Sequence, residues 1–139
     1  MMKNDLNGNA AGEELGFARP DYQRAKRCGW PEVIYGGGKT AEQIVPIFRK
    51  LLESQREGEG LPVYATRVDE DKAALILREM PELQYDKEAR IVYDHKPESG
   101  RGMVAVCCAG TSDVPVAAEA VLVIPVKPKN KSTPKSKPR

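Results

Sequence analysis

A chain of 139 residues holds one ordinary domain, or a small domain and part of a second, since a single core takes about 100 to 150 residues. Hydrophobic residues make up 40% and charged residues 30%, the balance of a soluble globular protein, and no run of about 18 apolar residues exists to span a bilayer. The formal charge of +2 comes from Lys127, Lys129, Lys131, Lys135, Lys137 and Arg139, and removing those six leaves a body of about −4, without the basic, aromatic-laced face that nucleic acid requires.

Taken in chain order, residues 1–20 are polar and small, too poor in apolar groups to offset the entropy of ordering, and read as a flexible lead. They also lack the basic start and apolar stretch of a secretory signal, so a cytoplasmic location is expected. Pro31 to Tyr35 reads as a strand, Gly36-Gly37-Gly38 as a break, and Thr40 as the N-cap of a helix over Ala41–Ser54. Ile44, Ile47, Phe48, Leu51 and Leu52 recur at helical spacing as a core-facing stripe, and Pro46 threatens a kink in the first turns.

Gly58 and Gly60 end that helix, Leu61–Thr66 forms a second strand, and Asp69–Met80 forms a second helix whose Ala73, Leu75, Ile76 and Met80 are apolar, completing a β-α-β-α unit. Leu83–Tyr85 and Arg90–Tyr93 flank the charged turn Asp86-Lys87-Glu88 as a small hairpin. After the turn-rich stretch Asp94–Gly102, the apolar run Met103–Ala109 reads as a strand covered on both faces. Gly110-Thr111-Ser112-Asp113 then makes a tight loop, and Val114–Ala120 a helix start with Pro115 in its first turn. Beyond Ala120 a strand-like apolar piece gives way to a disordered Lys/Pro/Ser tail over residues 127–139. The expected divisions are therefore 1–20, 21–101, 102–126 and 127–139.

Two loops stand out chemically. Gly36-Gly37-Gly38-Lys39-Thr40 ends like a phosphate-binding loop, but that motif needs a glycine five positions before Gly38, where Val33 stands. Strand, glycines, lysine and helix N-terminus can still hold an anion. The plainer alternative is a tight turn at positive φ followed by a capped helix. Gly110-Thr111-Ser112-Asp113 offers hydroxyls, a carboxylate and backbone donors just past a buried strand, where open α/β sheets bind ligands, or else it simply caps the following helix.

Elsewhere the signals are weak. His95 has no second histidine or Cys/His partner for a metal or triad and reads as a solvated surface residue. Cys28, Cys107 and Cys108 lack metal-ligand spacing, and the adjacent pair reads as packed, inert thiols of a buried strand.

Three stretches, RCGWPEVIYGGGKTAEQI (27–44), Ala65-Thr66-Arg67 and AGTSDVPVAAEA (109–120), together resemble the LarB family of nickel-pincer cofactor biosynthesis, over about residues 20–120. The resemblance implies an N-terminal domain followed, from near Gly102, by a domain similar to aminoimidazole ribotide carboxylase (PurE), a doubly wound parallel α/β fold that forms homo-oligomers. It implies carboxylation of the pyridinium ring of nicotinic acid adenine dinucleotide with CO2 or bicarbonate as co-substrate, and phosphoanhydride cleavage releasing AMP, with Mg2+ a candidate aid and no covalently bound cofactor. A pyridinium is electron-poor and attacks CO2 only after a nucleophile adds to the ring, a step the family gives to a cysteine.

Carried over by position, Gly110, Thr111, Ser112 and Asp113 match the nucleotide-site loop, and Gly38, Lys39 and Arg67 match N-terminal motifs that suit anion contact. The tail after Ala120 departs from the family pattern, and Cys107 and Cys108 come too early to be the adduct-forming cysteine. The expectation is a fragment with an incomplete catalytic domain, inactive alone. The competing expectation is a non-enzymatic module that binds a nucleotide or a partner, with weak DNA association through the tail a remoter third.

Overall fold

The computed structural model describes residues 15–56, 60–96 and 104–124. The expectations placed on residues 1–14, Gly58, 97–103 and the tail from 125 onward lie outside them. The chain adopts the mixed α/β architecture read from the sequence: α1 (Arg24–Cys28), β1 (Val33–Tyr35), α2 (Ala41–Arg56), β2 (Tyr64–Thr66), α3 (Glu70–Glu79), β3 (Gln84–Asp86), β4 (Ile91–Tyr93) and α4 (Val114–Val123).

The strands form one sheet in the order β1-β2-β4-β3. β1 and β2 run parallel through the α2 crossover, and β4 enters antiparallel between β2 and its hairpin partner β3. Register lines up Ile34, Ala65, Val92 and Tyr85 across the sheet, with Val33, Tyr64, Tyr93 and Gln84 in the next row. Because successive strand residues face opposite ways, these rows belong to different faces.

On the first face Ile34, Ala65 and Val92 pack with Ile44, Phe48 and Leu51 of α2 and Ala73 and Ile76 of α3, the stripe expected from helical spacing. Pro46 lies inside α2 without ending it. On the second face Tyr64, Ile91 and Tyr93 pack with Leu122 of α4. Burial pushes the Tyr64 phenol up to about 12, so it packs there as a neutral ring.

Two expectations on the later part of the chain are corrected. Residues 104–109 form no strand and are exposed throughout, Val104 by 55%. A strand exists through its neighbours, and neither edge of the sheet, β1 or β3, pairs with this run, whose peptide groups are left to water. Val121-Leu122-Val123, read as strand-like, is the last turn of α4, drawn into the helix by the contact of Leu122 with the sheet. The sequence reading also passed over α1, which Asp21 anchors by accepting from Arg27.

Phe48, fully buried against the first face, should cost about 3 to 5 kcal/mol of unfolding free energy when replaced by alanine, read from urea denaturation. Asp69 caps α3 by accepting the Lys72 N–H at 2.9 Å, and that bond holds its carboxyl below the ordinary 3.8. A depressed pKa contributes stability above the unfolded value that is lost as pH falls through the folded one. Asp69→Ala should therefore unfold at lower urea than the parent at neutral pH, the gap narrowing below pH 4. Asp69→Asn, still a cap, should stay close to the parent at neutral pH.

Candidate functional site

The candidate residues of the N-terminal unit meet at the carboxyl ends of the parallel pair. Gly36 N–H donates to the Thr66 carbonyl at 2.8 Å, which sets the turn after β1 against the end of β2. A Cβ on Gly36 would lie 2.7 Å from that same carbonyl oxygen and 2.9 Å from Val68 Cγ2, so only glycine fits. Gly38 turns the chain at φ +79°, and Lys39 N–H closes the turn on the Gly36 carbonyl at 3.2 Å.

Thr40 then starts α2. Its carbonyl accepts from Ile44 N–H at 3.0 Å, and its own N–H donates to Gln43 Oε1 at 3.0 Å. The Gln43 contact is the reciprocal half of a capping box, legible in the spacing Thr-x-x-Gln but not used in the sequence reading.

Two ammonium groups fold onto this turn. Lys39 Nζ donates to the Tyr35 carbonyl at 2.9 Å, and Lys72 Nζ, from the first turn of α3, donates to the Gly36 carbonyl at 3.0 Å. The sequence reading missed Lys72, whose part depends on α3 packing beside α2. Two cations lie on one glycine turn at the carboxyl ends of β1 and β2, and Lys72 Nζ is also paired with Asp69 Oδ2 at 3.8 Å, which offsets part of its charge.

Arg67 follows β2 directly, at φ +57°. Its Nε donates to Glu119 Oε2 of α4 at 3.0 Å. The Gly110-Thr111-Ser112-Asp113 loop forms a single 3-10 turn closed by Asp113 N–H on the Gly110 carbonyl at 3.2 Å, and all four residues are exposed. Ser112 Oγ donates to Asp113 Oδ1 at 3.4 Å, and the Asp113 side chain makes no cap bond to α4. The fold thus joins Gly38, Lys39 and Arg67 through the Gly36–Thr66 bond, and ties the 110–113 loop to them through α4 and Glu119.

The remaining polar groups lie elsewhere. Asp94 accepts the Val63 N–H at 2.8 Å through Oδ1 and holds His95 Nδ1 at 2.7 Å through Oδ2, at the end of the sheet opposite the glycine turn. His95 is therefore half-buried and held by its neighbour rather than freely solvated as read. Cys107 and Cys108 are exposed rather than packed, because the strand meant to bury them does not form; Cys28 is exposed as well. Among the described residues no three His, Cys, Asp or Glu side chains are grouped to hold a metal ion.

The sequence model of a family described as the LarB/PurE-like N-terminal domain matches residues 12–96, ending before α4. An uncharacterized protein of Methanocaldococcus jannaschii, MJ0165, is 36% identical over 107 residues, covering 72% of this chain and 40% of that protein. The chain thus spans about two fifths of the length of the curated relative it matches.

The close approach at Gly36 sets a test of the turn. Gly36→Ala should lose about 1 to 3 kcal/mol of stability in urea unfolding, because the added methyl meets a backbone oxygen that cannot move without breaking the β1–β2 junction.

Proposed function

Because the chain belongs to the LarB/PurE-like N-terminal domain family, we propose that it supplies the front part of a carboxylase that acts on a nicotinate nucleotide, with nicotinic acid adenine dinucleotide as substrate and CO2 or bicarbonate as co-substrate. The observation that carries the reading is the arrangement around the Gly36 turn: Lys39 and Lys72 fold onto it, and Arg67 connects it through Glu119 to the Gly110–Asp113 loop. Anionic groups of a nucleotide are the ligands such an assembly suits.

In this reading the Asp113 carboxylate accepts from the ribose hydroxyls, the Ser112 hydroxyl and the backbone N–H groups of the loop donate to the ring carboxylate or phosphate, and the Gly38–Lys39 turn takes phosphate charge. The Asp113 carboxylate supports that role, since it is exposed and not spent on capping α4. Carboxylation at the pyridinium ring needs a nucleophile to turn the ring into an enamine-like dihydropyridine before it meets CO2. Among the described residues, Cys107 and Cys108 sit before the loop in an exposed run that pairs with no strand. The reading therefore gives these 139 residues the nucleotide-binding part and leaves the ring-activating thiol to the rest of the carboxylase.

Calorimetry with nicotinic acid adenine dinucleotide and with AMP tests the binding half, and mass spectrometry with isotope-labelled bicarbonate tests the chemistry. Saturable heat without label incorporation is expected. Absence of heat with either nucleotide sinks the nucleotide reading, and label fixed on the pyridine ring by this polypeptide unaided sinks the claim that it is only a part. A non-enzymatic binding module gives the same heats, and separates from the enzyme part by staying inert when a polypeptide carrying the rest of a family member is added.

A further inference from the structure

α4 is apolar all the way round: Val114–Val123 reads VPVAAEAVLV, and Glu119 is its sole charged residue. An amphipathic helix has its rotation set by which face it buries, but here Val116 and Val121 point to water while Leu122 and Ala118 pack on the sheet. Burial of Leu122 favours the observed rotation, but the valines that ring the helix make that apolar preference shallow. The directional contact that adds to it is the ion pair from Glu119 to Arg67, at 3.0 Å.

Arg67 carries a second mark. Its φ of +57° lies in the left-handed region, which Gly or Asn adopts with less strain, so the turn after β2 by itself gives no reason for an arginine. The side chain supplies the reason. Arg67 stands where the parallel strand β2 ends, and Glu119 lies six residues beyond Asp113, about 9 Å along the helix axis.

We propose that Arg67 and Glu119 form a clasp that sets the rotation of α4 on the second face of the sheet, making Arg67 a positioning residue for the Gly110–Asp113 loop rather than a direct ligand contact. The clasp links a unit with its own core to a loop outside the matched family span, because it grips the helix into which the loop runs. Its consequence for ligand binding rests on the nucleotide reading of that loop, and its structural part does not.

The test is hydrogen–deuterium exchange on the full 139-residue chain, without nucleotide, for the parent, Arg67→Asn, Glu119→Gln and the swapped pair Arg67→Glu/Glu119→Arg. Asn keeps the left-handed backbone and removes the guanidinium. Each single variant should speed exchange of the α4 amides about 2- to 5-fold, in keeping with a partly exposed ion pair, while the amides of α2 and β4 report that the core is intact. The swapped pair should bring α4 exchange back toward the parent rate.

Unchanged α4 exchange in both single variants, or no recovery in the swapped pair, overturns the clasp. Titration with nicotinic acid adenine dinucleotide then separates positioning from contact. A positioning role predicts weaker binding in Arg67→Asn and recovery in the swapped pair. Loss that the swap does not restore makes Arg67 a ligand contact and overturns the positioning claim. A parent chain that binds no nucleotide removes the reading under Proposed function, and the exchange result decides the clasp on its own.

Discussion

Strands of three residues give a sheet little of its own to stand on, so this fold depends on covering both faces at once. The first face is closed by α2 and α3, whose Ile44, Phe48 and Ile76 reach fully into the core. The second is closed by α4, which comes from the far side of an exposed run and lays Leu122 among Tyr64, Ile91 and Tyr93. The alternation along β2 and β4 makes this necessary: a strand with Ala65 pointing one way and Tyr64 the other cannot be buried by one layer of helices.

The same constraint shapes the carboxyl ends of the parallel strands. Parallel pairing of β1 and β2 brings two strand termini together, and the turn after β1 must pass within hydrogen-bond reach of the Thr66 carbonyl. Only a residue without a side chain allows that approach, so Gly36 serves the fold first and any anion second. The cations follow from the layering: Lys39 comes with the turn, Lys72 with the start of α3, and Arg67 with the end of β2. Their carbonyl and carboxylate partners keep them in fixed places instead of sweeping through solvent.

Much of this was legible in the residues. The periodicity of Ile44, Ile47, Phe48 and Leu51 marked α2, Asp69 marked the start of α3, and the charged turn between Tyr85 and Arg90 marked the hairpin. Each of these signals is local, a spacing or a cap within a few residues. What was not legible depends on distant parts of the chain. The insertion of β4 between β2 and β3, the folding of Lys72 onto the Gly36 carbonyl and the pairing of Arg67 with Glu119 all join residues far apart in sequence. The run before Gly110 failed for the same reason in reverse: its composition suits a buried strand, but composition provides no neighbour. Among the candidate residues, Gly38 and Lys39 are brought beside Arg67 by one hydrogen bond between Gly36 and Thr66, a contact that no local spacing announces.

The strand order also governs how the polypeptide can be assembled on the ribosome. β4 lies between β2 and β3 yet is the last of the four to be synthesised, so the sheet has a gap at its centre until Tyr93 has emerged. Until then the β1-α2-β2 crossover and α3 can cover only one side of a two-stranded ribbon, with the inner edge of β2 open to solvent. That interval is when an emerging chain is most exposed to pairing with its neighbours. The brevity of β2, at three residues, limits how long an open edge the nascent chain presents.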